Sequence, residues 1–218
     1  MNIGIIGAGA MGSALGKVWA NAGHHILLSY SRDASRLVML ANSMGSHVSA
    51  GTVADAVEQS DVILFAVPWH RVPDVLEQAG SLQGRIVLSC MLPMTADDSE
   101  LAFGFNWSGA EELAKQTGAR VVATFNTVWS NMIAHPPREN EQRSMFYVGD
   151  DADAKRAADR LIGDAKFDPI DAGALIDARL LEPFGLLMGK LGFTYTPLVA
   201  YHFLQFRQRG GTGLLTPR

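Results

Sequence analysis

The feature that most restricts this chain is its beginning, where a strand-like run, Asn2-Ile3-Gly4-Ile5-Ile6, passes directly into Gly7-Ala8-Gly9-Ala10-Met11-Gly12. A strand that runs into GxGxxG can turn sharply into a helix because each glycine omits a Cβ where one would obstruct. Gly7 permits the tight turn, Gly9 lets a pyrophosphate approach the backbone, and Gly12 lets the helix pack close to the strand. The helix N-terminus then offers free N–H groups and a partial positive charge to that anion. The pattern predicts a dinucleotide site, with an ordinary glycine turn as the competing reading.

Further along, apolar runs bounded by turn residues alternate with stretches of helical period, the order expected of βαβ units around a parallel sheet. Strands are expected at 2–6, 25–29, near 47–48, 62–67, 85–89 and 121–125. Helices are expected at 11–22, 34–42, 53–59, 72–79 and 110–117, the last begun by the capping-box spacing of Ser108 and Glu111. After residue 125 the pattern gives a loop with Pro136 and Pro137, a strand at 145–148, an Ala-rich helix at 152–162, a short strand at 167–170, and helix from 175 onward. The expected fold class is α/β, a Rossmann-type doubly wound and mostly parallel sheet over residues 1–172 with a C-terminal helical segment over 173–218. The glycine-rich tail at 208–218 is expected to fray.

Composition narrows the partners. A net charge of −4 and a pI near 5.8 leave no basic surplus for nucleic acid. Cys90 is the lone cysteine, which excludes an intrachain disulfide and a multi-cysteine metal centre and suits a reducing cytoplasm. The first basic residue is Lys17, unlike the basic start of a secretory signal. The apolar stretch 180–206 is interrupted by Glu182, Pro183, Lys190, Pro197 and His202, so it reads as a buried or subunit-facing helix pair rather than a membrane span.

The end of the second expected strand bears on which dinucleotide fits. NAD enzymes usually place Asp or Glu there to accept from the ribose hydroxyls. Here the segment is Ser29-Tyr30-Ser31-Arg32-Asp33 with Arg36 one turn on. A hydroxyl and two guanidinium groups can hold a 2′-phosphate, whereas a carboxylate would repel it. NADP(H) is therefore expected. In the competing reading Arg32 and Arg36 are a solvated helix start and Asp33 its N-cap.

Three further segments gather at the C-terminal sheet edge, where open α/β folds bind ligands: Val67-Pro68-Trp69, Met91-Leu92-Pro93-Met94 and Asn126-Thr127-Val128-Trp129-Ser130. Together they would line a mostly apolar pocket with a few amide and hydroxyl groups, suited to a nicotinamide and a second flat ring. Trp69 either walls the cofactor groove or caps the core. His70 and Arg71 receive no role, and His24-His25 reads as the turn into the second strand. No nucleophile-base pair and no metal spacing emerges, and no catalytic side chain is identified. Hydride transfer between two cofactors needs proximity and orientation rather than a protein acid or base.

The ordered set of the glycine turn, Ser31-Arg32 with Arg36, Pro68-Trp69, Leu92-Pro93, Gly149-Asp150-Asp151, Asp171-Ala172-Gly173 and Ala178-Arg179-Leu180-Leu181-Glu182-Pro183 resembles the coenzyme F420-dependent NADP reductases. These are small Rossmann proteins whose fold recurs in the cytoplasmic domains of six-transmembrane ferric reductases. The resemblance implies that Ala8, Gly9, Ala10 and Met11 contact the pyrophosphate, that Ser31, Arg32 and Arg36 hold the 2′-phosphate, and that Ser130 with Val67, Pro68 and Trp69 flanks the nicotinamide. Where deazaflavin reductases carry His-Thr after the sixth strand, this chain has Asn126-Thr127, the form of ferric-reductase-type relatives. Residues 192–218 have no clear match.

The expected activity is hydride transfer between NADP(H) and a deazaflavin (F420) or flavin. The alternatives are reduction of a small organic or ferric-chelate acceptor, and a non-catalytic NADPH-sensing module. A homodimer is expected, because Leu180, Leu181, Phe184, Leu186, Leu187, Met188, Leu191 and Phe193 carry more apolar surface than a finished Rossmann sheet hides. The competing reading places these side chains in a monomer core.

Overall fold

Strands covered on both faces are nearly continuous apolar runs, and four that fill the middle of the sheet carry polar residues only at their ends: β1 (Asn2–Ile6), β4 (Val62–Phe65), β5 (Ile86–Ser89) and β6 (Arg120–Thr124). They form the centre of a computed structural model that describes residues 1–135, 137 and 143–194. With β2 (His25–Ser29), β3 (Val48–Ala50), β7 (Ser144–Gly149) and β8 (Asp168–Asp171) they make one sheet in the order β3-β2-β1-β4-β5-β6-β7-β8. Every neighbouring pair is parallel except β6 and β7, which run antiparallel. The order reverses after β1, so the switch point between β1 and β4 opens a crevice at the strand C-termini.

Helices pack on both faces: α1 (Ala10–Asn21), α2 (Ala34–Met44), α3 (Val53–Glu58), α4 (Val72–Ala79), α5 (Gly109–Thr117), α6 (Ser130–Ala134), α7 (Ala152–Asp164) and α8 (Ala178–Thr194). One core layer joins Leu15 and Trp19 of α1 to Ile3, Ile5 and Phe125, with Leu161 and Ile162 of α7. Trp19 meets Phe125 edge-on, and its indole N–H donates to the Leu161 carbonyl at 2.9 Å. The other layer holds Ile6, Ile63, Phe65 and Val87 against α3, α4 and α5. This is the α/β, Rossmann-type architecture.

Several expectations need correction. The fourth strand ends at Phe65, short of Val67, and the third starts at Val48. The loop expected after residue 125 contains a one-turn helix, α6, that packs on α1. Pro136 and all residues after Thr194, including the 208–218 tail and much of the 180–206 stretch, lie outside the described residues. No helix among the described residues is long and apolar enough to cross a membrane.

Candidate active site

The glycine turn is built as its chemistry requires. Gly7 has φ +113, and a Cβ there would stand 2.4 Å from the Ala66 carbonyl oxygen. At Gly12 a Cβ would stand 2.0 Å from the Gly7 carbonyl oxygen. Both glycines therefore serve close backbone packing. Gly9 differs, since a Cβ there would meet no atom within 4 Å among the described residues. Gly9 is also the N-cap of α1, has no side chain to cap it, and is followed by no first-turn acid. The first N–H groups of α1 thus point into open space at a partial positive charge, a cradle that suits a pyrophosphate.

Two clefts meet at this turn, sharing Gly9, Ala66, Val67 and Pro68. The first, about 270 Å³, is lined by Tyr30, Ser31, Arg32, Arg36, Leu37 and Arg71. Asp33 caps α2 by accepting from the Arg36 N–H at 3.1 Å, and the Ser31 hydroxyl donates to the Asp33 carbonyl. The helix-start reading of Asp33 is thus correct, yet it leaves both guanidinium groups lining the cleft. No acid among the described residues forms an ion pair with Arg32, Arg36 or Arg71. Tyr30 sits at φ +59, and its hydroxyl donates to Asp74 of α4 at 2.5 Å. That bond ties the β2–α2 turn to α4 across the mouth of the cleft. Burial first, then the Asp74 carboxylate, raise the Tyr30 hydroxyl pKa.

The second cleft, about 470 Å³, lies on the α6 side and is lined by Ala10, Met11, Cys90, Met91, Leu92, Phe125, Asn126, Thr127, Val128, Trp129 and Ser130, with Gly185 and Gly189 of α8 opposite. None of the described residues that line it is charged. Asn126 is 6% exposed, and neither polar atom of its side-chain amide has a hydrogen-bond partner among the described residues. A buried amide left unmet costs about 1–3 kcal/mol, so the amide can offer both a donor and an acceptor to whatever enters the cleft. Burial pushes the Cys90 thiol up to about 12, and its sulfur lies 3.2 Å from the Phe65 carbonyl oxygen. It is no thiolate near neutral pH.

Helix α8 closes this cleft through contacts made elsewhere. The buried Glu182 carboxylate accepts from the backbone N–H groups of Gly109 and Ala110, both at 3.0 Å, at the start of α5. Arg179 makes a two-pronged pair with Glu111 at 2.8 and 2.7 Å. Burial is the larger influence on Glu182 and lifts its pKa to about 7 against the pull of the two N–H groups. Gly185 can lie flat against the strand-six loop because a Cβ there would stand 2.5 Å from the Asn126 carbonyl oxygen. The Arg-Leu-Leu-Glu-Pro segment is thus the anchor of the cleft wall.

The structure places all but two of the anticipated positions, Gly12 and Trp69, in the lining of the two clefts. Gly7, Ala8, Ser31, Arg32 and Arg36 line the first cleft, Gly9, Val67 and Pro68 line both, and Ala10, Met11, Asn126 and Ser130 line the second, with Gly12 behind the turn. Trp69 is the other exception: its ring packs edge-on against Phe103 and lines neither cleft. The 3-10 turn Trp69–Arg71 rotates it away from the sheet edge, and the indole that lines the second cleft is Trp129. Arg71, given no role from sequence, is a lining residue that was missed.

A family model described as NADP oxidoreductase, coenzyme F420-dependent, matches residues 2–93. The matched segment contains the glycine turn, the arginine cleft and the start of the second cleft. The chain is 26% identical over 185 residues to the metalloreductase STEAP3 of Rattus norvegicus, covering 84% of this chain and 36% of that protein. It is 33% identical over 106 residues to pyrroline-5-carboxylate reductase 2 of Macaca fascicularis, covering 46% of this chain and 33% of that protein. It thus spans about a third of the length of these curated relatives. Among solved structures, a hypothetical protein from Sinorhizobium meliloti superposes with a TM-score of 0.77 at 28% identity, covering 94% of this chain and 96% of that one. A candidate F420-dependent NADP reductase from Arthrobacter sp. FB24 superposes with a TM-score of 0.79 at 23% identity, covering 88% and 93%, a likeness of fold.

Proposed function

We propose that this NAD(P)-dependent oxidoreductase binds NADP(H) and exchanges hydride with a deazaflavin such as coenzyme F420, or with a flavin. The observation that carries the reading is the pair of clefts sharing Gly9 and Pro68, one charged and one neutral. A dinucleotide is long enough to occupy both, with its 2′-phosphate among the arginines, its pyrophosphate over Gly9 and its nicotinamide in the neutral cleft. Bound there, the nicotinamide supplies or takes up hydride. The residues of the neutral cleft then position and exclude. Asn126 meets the carboxamide of the ring or the amide edge of the acceptor, Met11 and Trp129 hold flat surfaces, and the α8 glycines leave width for a second ring. An uncharged lining keeps water from the transferring hydride and asks for no proton from the protein.

An absorbance screen of NADPH oxidation against a deazaflavin, riboflavin phosphate and ferric chelates tests this. Turnover with a deazaflavin or flavin is expected. Turnover on ferric chelates alone would favour the second reading, which rests on the likeness to a metalloreductase over most of the chain and on Asn126-Thr127. Tight NADPH binding with no turnover on any acceptor would make the protein a sensor.

A homodimer is proposed beside this reading. Ile176 of the 3-10 turn Leu175–Asp177 and Leu180 and Leu187 of α8 are 53%, 62% and 52% exposed, apolar surface that a two-fold contact would cover. Light scattering at micromolar concentration should give twice the chain mass; a single-chain mass would rule the contact out.

A further inference from the structure

We infer that Arg71 is a specificity-determining residue that grips the 2′-phosphate from the side opposite Arg32 and Arg36. The inference rests on the NADP(H) reading of the arginine cleft and adds a contact from a separate element. Arg32 and Arg36 come from the turn after β2, whereas Arg71 comes from the 3-10 turn after β4. All three line one cleft.

Arg71 closes the 3-10 turn Trp69–Arg71 and stands immediately before the first residue of α4, and its side chain makes no capping hydrogen bond there. Asp74, in the first turn of α4, accepts from the Tyr30 hydroxyl and from Gln78 and forms no ion pair with Arg71 among the described residues. Three arginines therefore line one cleft with no ion-paired acid among the described residues, an arrangement that a dianion would settle. The Tyr30–Asp74 bond acts as a strut between the two walls and fixes the gap that the dianion must fill.

The experiment compares two probes that share an adenosine and differ at the 2′ position, adenosine 2′,5′-bisphosphate and adenosine 5′-monophosphate. Calorimetry is run on the full chain and on its Arg71→Ala and Arg32→Ala variants. Arg71 is exposed, so its removal should leave the circular dichroism spectrum and Tm unchanged. Arg71→Ala is expected to weaken the bisphosphate about tenfold, as the loss of one charge-assisted contact would, and to leave the monophosphate unchanged. Equal weakening of both probes would place Arg71 on the adenine face and overturn the assignment. An unchanged bisphosphate affinity in Arg71→Ala, with a loss in Arg32→Ala, would overturn it while sparing the NADP(H) reading. Equal affinities for the two probes in the unaltered protein would overturn both.

Discussion

The two clefts on either side of Pro68 are made of opposite materials. The first gathers three cations from the segment after β2 and the 3-10 turn before α4, with no ion-paired acid among the described residues, whereas no described residue lining the second is charged and its walls come from segments as distant as Gly9 and Gly189. The difference shows how one sheet edge can divide two tasks. Charge is useful where a fixed anion must be chosen, because a carboxylate in place of a guanidinium reverses the sign of the interaction. Charge is harmful where hydride moves, because it draws water and offers proton chemistry that the step does not use.

The comparison can be broken most forcefully at the shared boundary. Gly9→Val is expected to abolish NADPH binding, a loss of more than about a hundredfold, while leaving the chain folded, since the added atoms enter ligand space rather than protein. Fluorescence titration of NADPH together with circular dichroism checks both halves; undiminished binding would show that the turn serves packing alone. Gly12→Val is the contrasting control and should fail to fold, because its Cβ would collide with the Gly7 carbonyl.

A smaller effect separates the charged cleft from the neutral one. Arg32→Ala should weaken NADPH by about ten- to hundredfold, the equivalent of roughly 1.5–3 kcal/mol, and leave NADH nearly unchanged. If NADH binding fell in parallel, the arginine would be holding something common to both cofactors.

Smaller again is the consequence of the orphaned amide. Asn126→Leu should raise the stability of the ligand-free protein by about 1 kcal/mol, by removing two unmet buried polar atoms, and at the same time raise the KM for NADPH or the acceptor. Thermal melts with and without NADPH separate the two effects. A variant less stable without ligand would mean that the amide is satisfied in solution.

The smallest expected change concerns the wall of the neutral cleft. Glu182 titrates near 7 in the folded protein and near its ordinary value of 4.5 when unfolded. Between those values the folded chain holds the extra proton, so stability is greatest below pH 4.5 as far as this group is concerned and is lost as pH rises through about 7. A fall in Tm of a few degrees between pH 5.5 and 8.5 is expected as that proton is lost. Glu182→Gln should flatten it. An equal slope in the variant would assign the pH dependence to another group.

The two clefts also differ in how far they could be read from the sequence. Ser31, Arg32 and Arg36 sit within one turn of a strand end, so local order gave their placement, and the glycine turn carried its geometry in its spacing. Arg71 escaped because its partners join it only through the β1–β4 neighbourhood. Trp69 and Trp129 both follow sheet strands, and only the turn geometry after Pro68 decides that Trp129 lines the cleft. The central parallel strands β1, β4, β5 and β6 were legible as apolar runs. The reversal at β7 was not, because pairing direction depends on how the chain travels between strands rather than on their composition. The α8 wall was visible only as surplus apolar residues; its anchorage depends on Glu182 reaching another helix's first N–H groups, a contact with no local signature.

Helix α8 is held at its α5 end and turns glycine toward the neutral cleft, so it behaves as the fixed jaw of a calliper. Gly185 leaves no room for a side chain, whereas at Gly189 a Cβ would meet nothing within 4 Å among the described residues. The opening is therefore set by backbone at one point and left free at the next. Residue 189 becomes a size gauge: each carbon added there would narrow the jaws without displacing the anchored end of α8, so the largest ring the cleft could admit can be graded one substitution at a time.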